Sequence, residues 1–528
     1  MKNIYILAFF VISIANSFAQ QVTFQKTYGG TGTDQGFSVQ QTLDSGYIIA
    51  GHTNSFGAGS FDFYLIKTDV NGNTLWTKTY GGINGEYFYN NRGAVKQTVD
   101  SGYIIAGSTS SFGAAGEDGF VIKIDNNGDT LWTKTYGGLD FDVLYSIQQT
   151  DDGGYIISGS SLSFVTTTSY NTDVYLIKTD GIGDTLWTKT YETDGGHGNS
   201  VQQTNDGGFF ITGTTSTSNI AVFLIKTNTL GDTLWTKTLD GISYENGEAG
   251  QQTNDGGYII TGEINSIATN NDIFLIKTDA NGDTLWIKTY GNSSSDVGYS
   301  VQQTSDDGYI IAGRISLTGN IPRASMIKTN VNGDTLWTKV YSNSGSMLRS
   351  VQQTYDGGYI AVGQISSVAG GVDIYLIKTD SLGNSVCIES SSNTIVTTTS
   401  GIILVNSPTL VNATNTIITS PATTVSGPAT NTTTCTTVGI QSAIPNPQFA
   451  ITISPNPATN NFTITFPNTI HTGAINIYNV LGEKIIEENI LNTSQKEIHL
   501  NNIASGIYNC VITSENEKVS KKLAVIKE

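Results

Sequence analysis

Lys277-Thr-Asp-Ala-Asn-Gly-Asp-Thr-Leu-Trp286 reads as a strand end, a tight turn and the start of the next strand. Close copies end at Trp76, Trp132, Trp187, Trp235 and Trp337. A degenerate seventh, Asp380-Ser-Leu-Gly-Asn-Ser-Val-Cys387, has cysteine where the others have tryptophan. All six tryptophans of the 528-residue chain therefore stand at one repeat position. The spacings of 56, 55, 48, 51, 51 and 50 residues lie in the range of propeller blades and other arrays.

From about Gln21 to Glu389, each repeat holds four short strand patterns. Examples are Ser300-Val-Gln-Gln-Thr304 for the first, Tyr258-Ile-Ile-Thr-Gly262 for the second, Ile273-Phe-Leu-Ile-Lys-Thr278 for the third and Thr284-Leu-Trp-Ile-Lys-Thr-Tyr290 for the fourth. Runs such as Tyr-Ile-Ile are apolar on both faces, which fits strands sandwiched between neighbouring sheets, and no helical periodicity interrupts them. The first-to-second and third-to-fourth turns are short and glycine-bearing. The other two connections are long and variable, for example Gly159 to Asp173 and Tyr80 to Gly93. Seven such units make a closed seven-bladed β-propeller over residues 20–390 the economical all-β solution, because closure removes exposed sheet edges. A parallel β-helix is the rival, but its coils lack paired tight hairpins. Val22-Thr-Phe-Gln-Lys-Thr-Tyr28 repeats the fourth strand with Phe24 at the tryptophan position, so it is expected to fill the last blade and displace the Cys387 segment.

The Asp-x-x-Gly-x-x-Leu-Trp turn resembles the tryptophan-docking motif of quinoprotein-type propellers, and the whole unit resembles secreted bacterial propellers related to the delta-60 repeat. The resemblance implies that each Trp packs between blades, that Ser-Val-Gln-Gln-Thr strands line the channel and that Leu-Trp-Thr-Lys-Thr strands lie outermost. Each Trp would bury roughly 150–250 Å², and its loss would cost on the order of 3–5 kcal/mol. The likeness is confined to packing residues, so it implies no quinone, and no cofactor is expected.

A net charge of −18 disfavours nucleic acid and anionic lipid as partners. Lys2, the apolar run Ile4 to Ile14 and Ser17-Phe18-Ala19 read as a signal peptide over residues 1–19, cleaved after Ala19. That core is too short for a membrane span, and no later stretch is apolar enough for a transmembrane segment. The expectation is an exported, water-soluble monomer.

Residues 391–448 turn abruptly to Thr, Ser, Asn, Val and Ile, with echoes at Ser407-Pro-Thr, Ser420-Pro-Ala-Thr and Gly427-Pro-Ala-Thr. This reads as a low-complexity linker without a core of its own, or as a glycosylated stalk. Cys387 and Cys435 bracket it; a disulfide would close it into a loop, and two unpaired thiols are the alternative.

Six strand patterns follow within residues 449–528. Their landmarks are Ser454-Pro455-Asn456-Pro457, Ile475-Asn-Ile-Tyr-Asn-Val-Leu-Gly482, Ile503-Ala-Ser-Gly506-Ile-Tyr508 and Lys521-Lys522-Leu-Ala-Val-Ile-Lys527. The series resembles the type A C-terminal sorting domain of the type IX secretion system, departing from it at Ile503-Ala. The resemblance implies a small Ig-like β-sandwich that engages the type IX machinery and delivers its cargo to be secreted or attached to the outer cell surface. Release and anchoring to lipopolysaccharide are the two outcomes known for such cargo. Cys510 lies mid-strand and reads as an apolar filler.

Carboxylates such as Asp180 with Asp184 and Asp279 with Asp283 suggest a calcium loop, but a turn this short offers too few oxygens, so turn capping is the better reading. The recurring Lys67, Lys178, Lys226, Lys277 and Lys378 read as solvated strand ends. His52, His197, His471 and His499 share no spacing, and no nucleophile elbow, metal pair or phosphate loop appears. The ring is therefore expected to bind without catalysis, with a glycan or protein as the unknown extracellular ligand. A polysaccharide-active hydrolase or lyase and a structural surface component are the alternatives. The candidate ligand face joins Asp34, Asp142 and Asp296 to the aromatics Phe37, Tyr145 and Tyr299 three residues on. The competing reading of that set is an Asp that caps its loop over a packed ring.

Overall fold

The structure, a computed structural model, describes residues 22–437 and 452–525, apart from short breaks in loops and between the short strands of 390–437. Every element among the described residues is a strand or a turn. Two compact units divide at Thr437/Val438.

In the first unit, sheet 1 is built from Asp34–Gln41, Tyr47–Thr53, Asp62–Thr68 and Thr74–Gly81, paired antiparallel in chain order. The doubly apolar middle strands are buried along their whole length, as their sequence requires. Six more sheets follow, with innermost strands at Ala94–Gln97, Asp142–Gln149, His197–Gln203, Glu245–Gln252, Val297–Gln303 and Ser346–Gln353. We number them sheets 2 to 7. In sheet 7 the place beside the third strand, Val372–Thr379, is taken by Thr23–Gly29, with Phe24 opposite Lys378 as Trp76 is opposite Lys67 in sheet 1. Sheet 1 also lies against sheet 7: the Gln41 amide donates to Gln352 Oε1 at 2.7 Å and the Val39 amide to Ser350 Oγ at 3.3 Å. The sequence expectation of strand order and of an N-terminal strand in the last sheet is met. The Cys387 segment lies outside the described residues.

Each sheet locks onto the next through one repeated joint. The indole of Trp286 lies against Gly333 of the following turn and edge-on to Tyr309, centroids 6.1 Å apart. Trp76, Trp132, Trp187, Trp235 and Trp337 do the same one sheet earlier or later, and Phe24 closes the series on Gly72 and Tyr47. Four residues on, Tyr290 donates to Gly333 O at 2.6 Å, and Lys288 pairs with Asp334. The tryptophans remain half-buried, which puts their contribution at the lower end of the sequence-based estimate.

The lysines of Ile-Lys-Thr correct another expectation. They are buried rather than solvated: Lys67, Lys178, Lys226, Lys277 and Lys378 pair at 2.8–2.9 Å with Asp44, Asp152, Asp206, Asp255 and Asp356 in the first-to-second turn of the same sheet. Lys123 and Lys328 repeat the arrangement. Burial raises the Asp152 carboxyl, but hydrogen bonds from Lys178, Thr150 and Gly154 outweigh it and hold the group down at about 2. The turn carboxylates of the quoted motif act as caps, Asp279 Oδ1 accepting from the amides of Asn281 and Asp283 at 2.9 and 2.8 Å.

Residues 390–437 form neither a free loop nor a stalk along their described backbone. Seven short strands add a fifth member to the sheets in reverse order. Ser390–Ser391 joins sheet 6 and Ile395–Thr398 joins sheet 5. Ile403–Asn406, Leu410–Asn412, Thr416–Ile418 and Thr423–Val425 join sheets 4 to 1, and Thr430–Thr437 joins sheet 7. The Leu-Trp strands are thus not outermost. Steps of about seven residues reach about 24 Å when extended, enough for a few paired residues and a crossing to the next edge. Covering every edge in this way removes the unpaired N–H and C=O rows that invite aggregation.

The second unit is a five-stranded antiparallel sheet of Thr452–Ser454, Asn461–Tyr478, Lys484–His499, Gly506–Ser514 and Lys518–Val525. Two long strands replace four of the six expected short ones. An irregularity between Thr465 and Ile470 divides the first of them. Its early half pairs with Thr452–Ser454, and its later half pairs with Gly506–Ser514. Phe462, Ile464, Ile475, Ile477, Ile512 and Leu523 fill the core. Cys510 sits among them as a free thiol pushed up to about 12 by burial, which makes it unreactive. Tyr508 donates to Ala504 O at 2.9 Å, Gly506 opens its strand, and Lys522 stands opposite Asn509. Pro455, Asn456, Pro457 and Gly482 fall outside the described residues, as does Ala19.

Candidate functional site

The seven innermost strands wall one central cavity of about 730 Å³ at the short-turn end, lined by Gln40, Lys96, Gln148, Gln202, Gln251, Gln302 and Gln352. The glutamines are joints as well as lining. The Gln202 carbonyl accepts from the Gln252 amide at 2.8 Å, and the neighbouring Gln252 accepts from Asn205 N of the previous sheet at 2.9 Å. Lys96 replaces glutamine in sheet 2, where desolvation inside the cavity pulls its ammonium below the usual range.

Toward the long loops the inner strands change character. In six sheets the ladder slips by one residue, and the residue left over is Phe37, Tyr145, Asn199, Glu248, Tyr299 or Arg349. Opposite each bulge stands the glycine that ends the Tyr-Ile-Ile-x-Gly pattern. A Cβ on Gly262 would collide with the Asn246 carbonyl, and on Gly313 with that of Val297. The glycine is therefore what lets the inner strand bend there. After the bulge four of the six sheets read Ser-Val-Gln-Gln, with Ser-Ile-Gln-Gln in sheet 3 and Ala-Gly-Gln-Gln in sheet 5; the bulge itself carries five residue types, tyrosine occurring twice. A bulge frees one side chain from the ladder and re-aims it, so the sheets present a varied set of side chains on a uniform frame.

These side chains meet one another. Arg349 donates to Gly36 O at 3.2 Å and to Gln364 Oε1 at 2.6 Å, with its guanidinium 4.5 Å from the Phe37 ring centroid. Tyr145 O–H lies 3.4 Å from His197 Nδ1, and Asn199 Nδ2 donates to Gly247 O at 2.6 Å. Sheet 2 has a longer insertion, residues 88–93, in place of a bulge. From it Arg92 reaches across to sheet 5, donating to Glu248 Oε2 at 2.7 Å and passing 5.7 Å from the Tyr145 ring. Both partners are buried, so the pair closes the centre of the long-loop end.

The electrostatics follow from this crowding. Burial drives the Glu248 carboxyl up to about 7 despite the opposing pull of Arg92, with Glu263 adding to the rise. Burial likewise keeps His52 and His197 neutral, at about 3 and about 4, helped by Arg349 and Arg92 respectively. Tyr299 is pushed up to about 12 and Arg349 down to about 10, chiefly by desolvation. Among the described residues no group of three or more His, Cys, Asp or Glu could hold a metal ion.

Asp34, Asp142 and Asp296 are fully buried and cap their own loops. Asp34 Oδ2 accepts from Gly30 N at 2.8 Å and Ser55 Oγ at 2.6 Å. Asp142 accepts from Gly138 N at 2.8 Å and Ser163 Oγ at 2.6 Å, and Asp296 from Ser316 N at 2.7 Å and Asn292 N at 3.0 Å. Burial raises Asp296 to about 7 and shifts Asp142 upward. The carboxylates thus lie within their own loops, whereas Phe37, Tyr145 and Tyr299 belong to the bulge set. Asn199, Glu248, Arg349 and Arg92 were missed. For the first three the readable signal is the residue three before each Gln-Gln pair, which varies most where the strand otherwise repeats; Arg92 lies in the sheet 2 insertion and has no such signal.

Residues 452–527 match the family described as the secretion system C-terminal sorting domain. The chain carries a type IX sorting domain, and such a domain implies exported cargo and interaction with that secretion machinery. No curated protein matches the chain. Similar solved structures include a protein of unknown function from Dyadobacter fermentans, at 12% identity over 67% of this chain and 97% of that one, TM-score 0.39. A subtype N11 neuraminidase-like protein of A/flat-faced bat/Peru/033/2010 (H18N11) is 13% identical over 68% and 94%, TM-score 0.33. The extracellular domain of a hybrid two-component system from B. thetaiotaomicron is 11% identical over 93% and 68%, TM-score 0.29. Likenesses this distant decide nothing about activity.

Proposed function

We propose that residues 20–390 form a closed seven-bladed β-propeller that binds an extracellular glycan or protein without catalysis. In this reading the signal peptide is removed after Ala19, and the C-terminal domain, an Ig-like sandwich, addresses the ring to the type IX route. The mature monomer is then released or held on the outer surface. One observation carries the binding role: inner strands that share a Gln-Gln frame carry Phe, Tyr, Asn, Glu or Arg at the bulge, a buried and varied layer of which Tyr299 alone is half-exposed, and such variation on a fixed frame suits recognition. The wall of one cavity by all seven inner strands supports the closed ring. Cys387 and Cys435 are bridged in this account, and recovery of both as free thiols from a non-reduced digest would remove that element.

Screening the full chain on a glycan array and against polysaccharide substrates tests the binding role. Saturable binding weakened by Tyr299→Ala supports it; release of shortened saccharides overturns it. The raised Glu248 carboxyl, close to Tyr299 and Glu263, is the observation that favours the hydrolase alternative. Deleting residues 449–528 should leave the protein in the periplasm, and normal surface delivery of that chain would refute the address.

A further inference from the structure

The 528 residues include only four arginines, Arg92, Arg314, Arg323 and Arg349, and all four stand at the long-loop end of the inner and middle strands. The repeated ion pairs of the frame use lysine instead. Three of the arginines have clear structural partners: Arg92 with Glu248, Arg349 with Gly36 O and Gln364, and Arg323 with Ser342 O at 3.1 Å. Arg314 differs. No hydrogen bond or ion pair of its guanidinium is found among the described residues, and its Nε is buried without a partner. It is half-buried beside a cavity of about 350 Å³, between sheets 5 and 6, whose other lining is Asn270, Ser295, Ser316 and Pro322.

Asp296 feels the charge of Arg314, which opposes the rise of its carboxyl, but makes no hydrogen bond to it among the described residues. Asp296 accepts from two backbone amides, and burial lifts its carboxyl to about 7, so it is close to half-neutral at that pH. Glu263, at the matching position of sheet 5, accepts from Asn271 Nδ2 at 3.0 Å and from Asn246 Nδ2 at 3.4 Å. Arg92 and Arg323 share the unpaired Nε, but each has another guanidinium nitrogen bonded; Arg314 has none bonded among the described residues and borders a cavity, which marks a place for an external acceptor. The planar fork of arginine matches a carboxylate bidentately, and the neutral amide and hydroxyl lining suits the hydroxyls around it. The volume is at the small end of ligand pockets, about one sugar residue.

Resting on the binding reading above, we propose that Arg314 anchors the carboxylate of an acidic saccharide in the cleft between sheets 5 and 6. Calorimetric titration of the full chain with tri- and tetrasaccharides of galacturonate and of glucuronate, and with the neutral galactose counterpart, tests this. An acidic oligomer should bind at least tenfold more tightly than the neutral one, since a charged hydrogen bond is worth about one to two powers of ten. Arg314→Gln should lower that affinity about tenfold or more while leaving the unfolding temperature unchanged, and Arg314→Lys should recover part of it. The proposal fails if Arg314→Gln binds like the parent, if acidic and neutral oligomers bind alike, or if no uronate binds. It also fails if a sulfated dextran binds and the uronates do not, because the site would then select sulfate. Neutral-glycan binding that survives Arg314→Gln would sink this inference and leave the platform reading standing. Silence on every glycan would count against both.

Discussion

Replacing Asp255 by Asn should destabilise its sheet more than replacing Lys277 by Met, although both changes break the same ion pair. Lys277 is 5% exposed and its partner 60% exposed, so the two ends have different alternatives. Asn keeps Oδ1 as acceptor for Thr253 Oγ1 at 2.6 Å and Gly257 N at 3.0 Å, but sets an N–H group against an ammonium 2.9 Å from Oδ2. The buried ammonium then keeps the Thr278 carbonyl at 2.8 Å and a now neutral Oδ1 at 3.0 Å, and loses both the bond to Oδ2 and the charge of the carboxylate. A hydrogen bond to a charged group is worth about 1.5–3 kcal/mol. Because the carboxylate end is largely hydrated, that figure is discounted toward the surface-pair range, to about 1.5 kcal/mol. Lys277→Met keeps the apolar stem in place and leaves a carboxylate that water and the turn can satisfy, at a cost within about 1 kcal/mol. Amide exchange across residues 253–258, followed by mass spectrometry, reads local opening; about 1.5 kcal/mol corresponds to about tenfold faster exchange. Faster exchange in Lys277→Met than in Asp255→Asn would refute the reasoning.

Gly262→Ala should cost about 1–3 kcal/mol by forcing the bulge backbone off the added methyl, whereas Gly256→Ala, with open space around its Cβ but a positive φ, should be limited to about 1 kcal/mol; denaturant midpoints of the two separate them. Trp286→Ala should cost about 3 kcal/mol, the low end for a buried aromatic because the indole is half-exposed, and loss of far more would mean that the joint does not act locally. Acidification should first stabilise and then destabilise. Asp62 and Asp296, raised to about 7, bind protons in the fold before the unfolded chain does, so stability rises as pH falls from about 7 toward about 4. Asp152, held at about 2, contributes stability that is lost between about 4 and 2. A melting temperature that climbs steadily from pH 5 to 8 contradicts this balance.

The strand plan was legible because it rests on local rules: doubly apolar runs, glycine turns and a tryptophan repeated at fixed spacing. Phe24 was legible as the seventh member for the same reason. The lysines were misjudged because Lys67 and Asp44 lie 23 residues apart and only the pairing of three strands brings them together. Strand period alone placed the ammonium at a strand end and could not supply its partner. The seven strands of 390–437 were hidden by composition. Threonine-rich segments of two to eight residues have no core pattern of their own and gain structure only from the edges they cover. Their step of about seven residues was nonetheless visible in the echo from Ser420 to Gly427. In the site, Phe37, Tyr145 and Tyr299 were legible because an aromatic recurs three residues after an Asp, whereas Asn199, Glu248 and Arg349 carry no recurring residue type.

That difference has a structural cause. A residue at a bulge has no ladder partner, so its identity can change without altering the pairing on either side. The neighbouring positions have no such freedom: Ser300 Oγ and Gln302 Oε1 accept from amides of sheet 7, and Gly313 has no room for a Cβ. A mutation there disturbs two sheets at once. A chain grown by repetition would therefore keep the Gln-Gln pair and the glycine fixed by packing, while the bulge residue is free to drift. The inner strands here carry an ion pair between sheets 2 and 5 and a further arginine, Arg349, charges that are costly to bury and that the repeated frame does not need. Stability explains the uniform part of each repeat; the binding role proposed above accounts for charges at Glu248 and Arg349 that the pairing does not require.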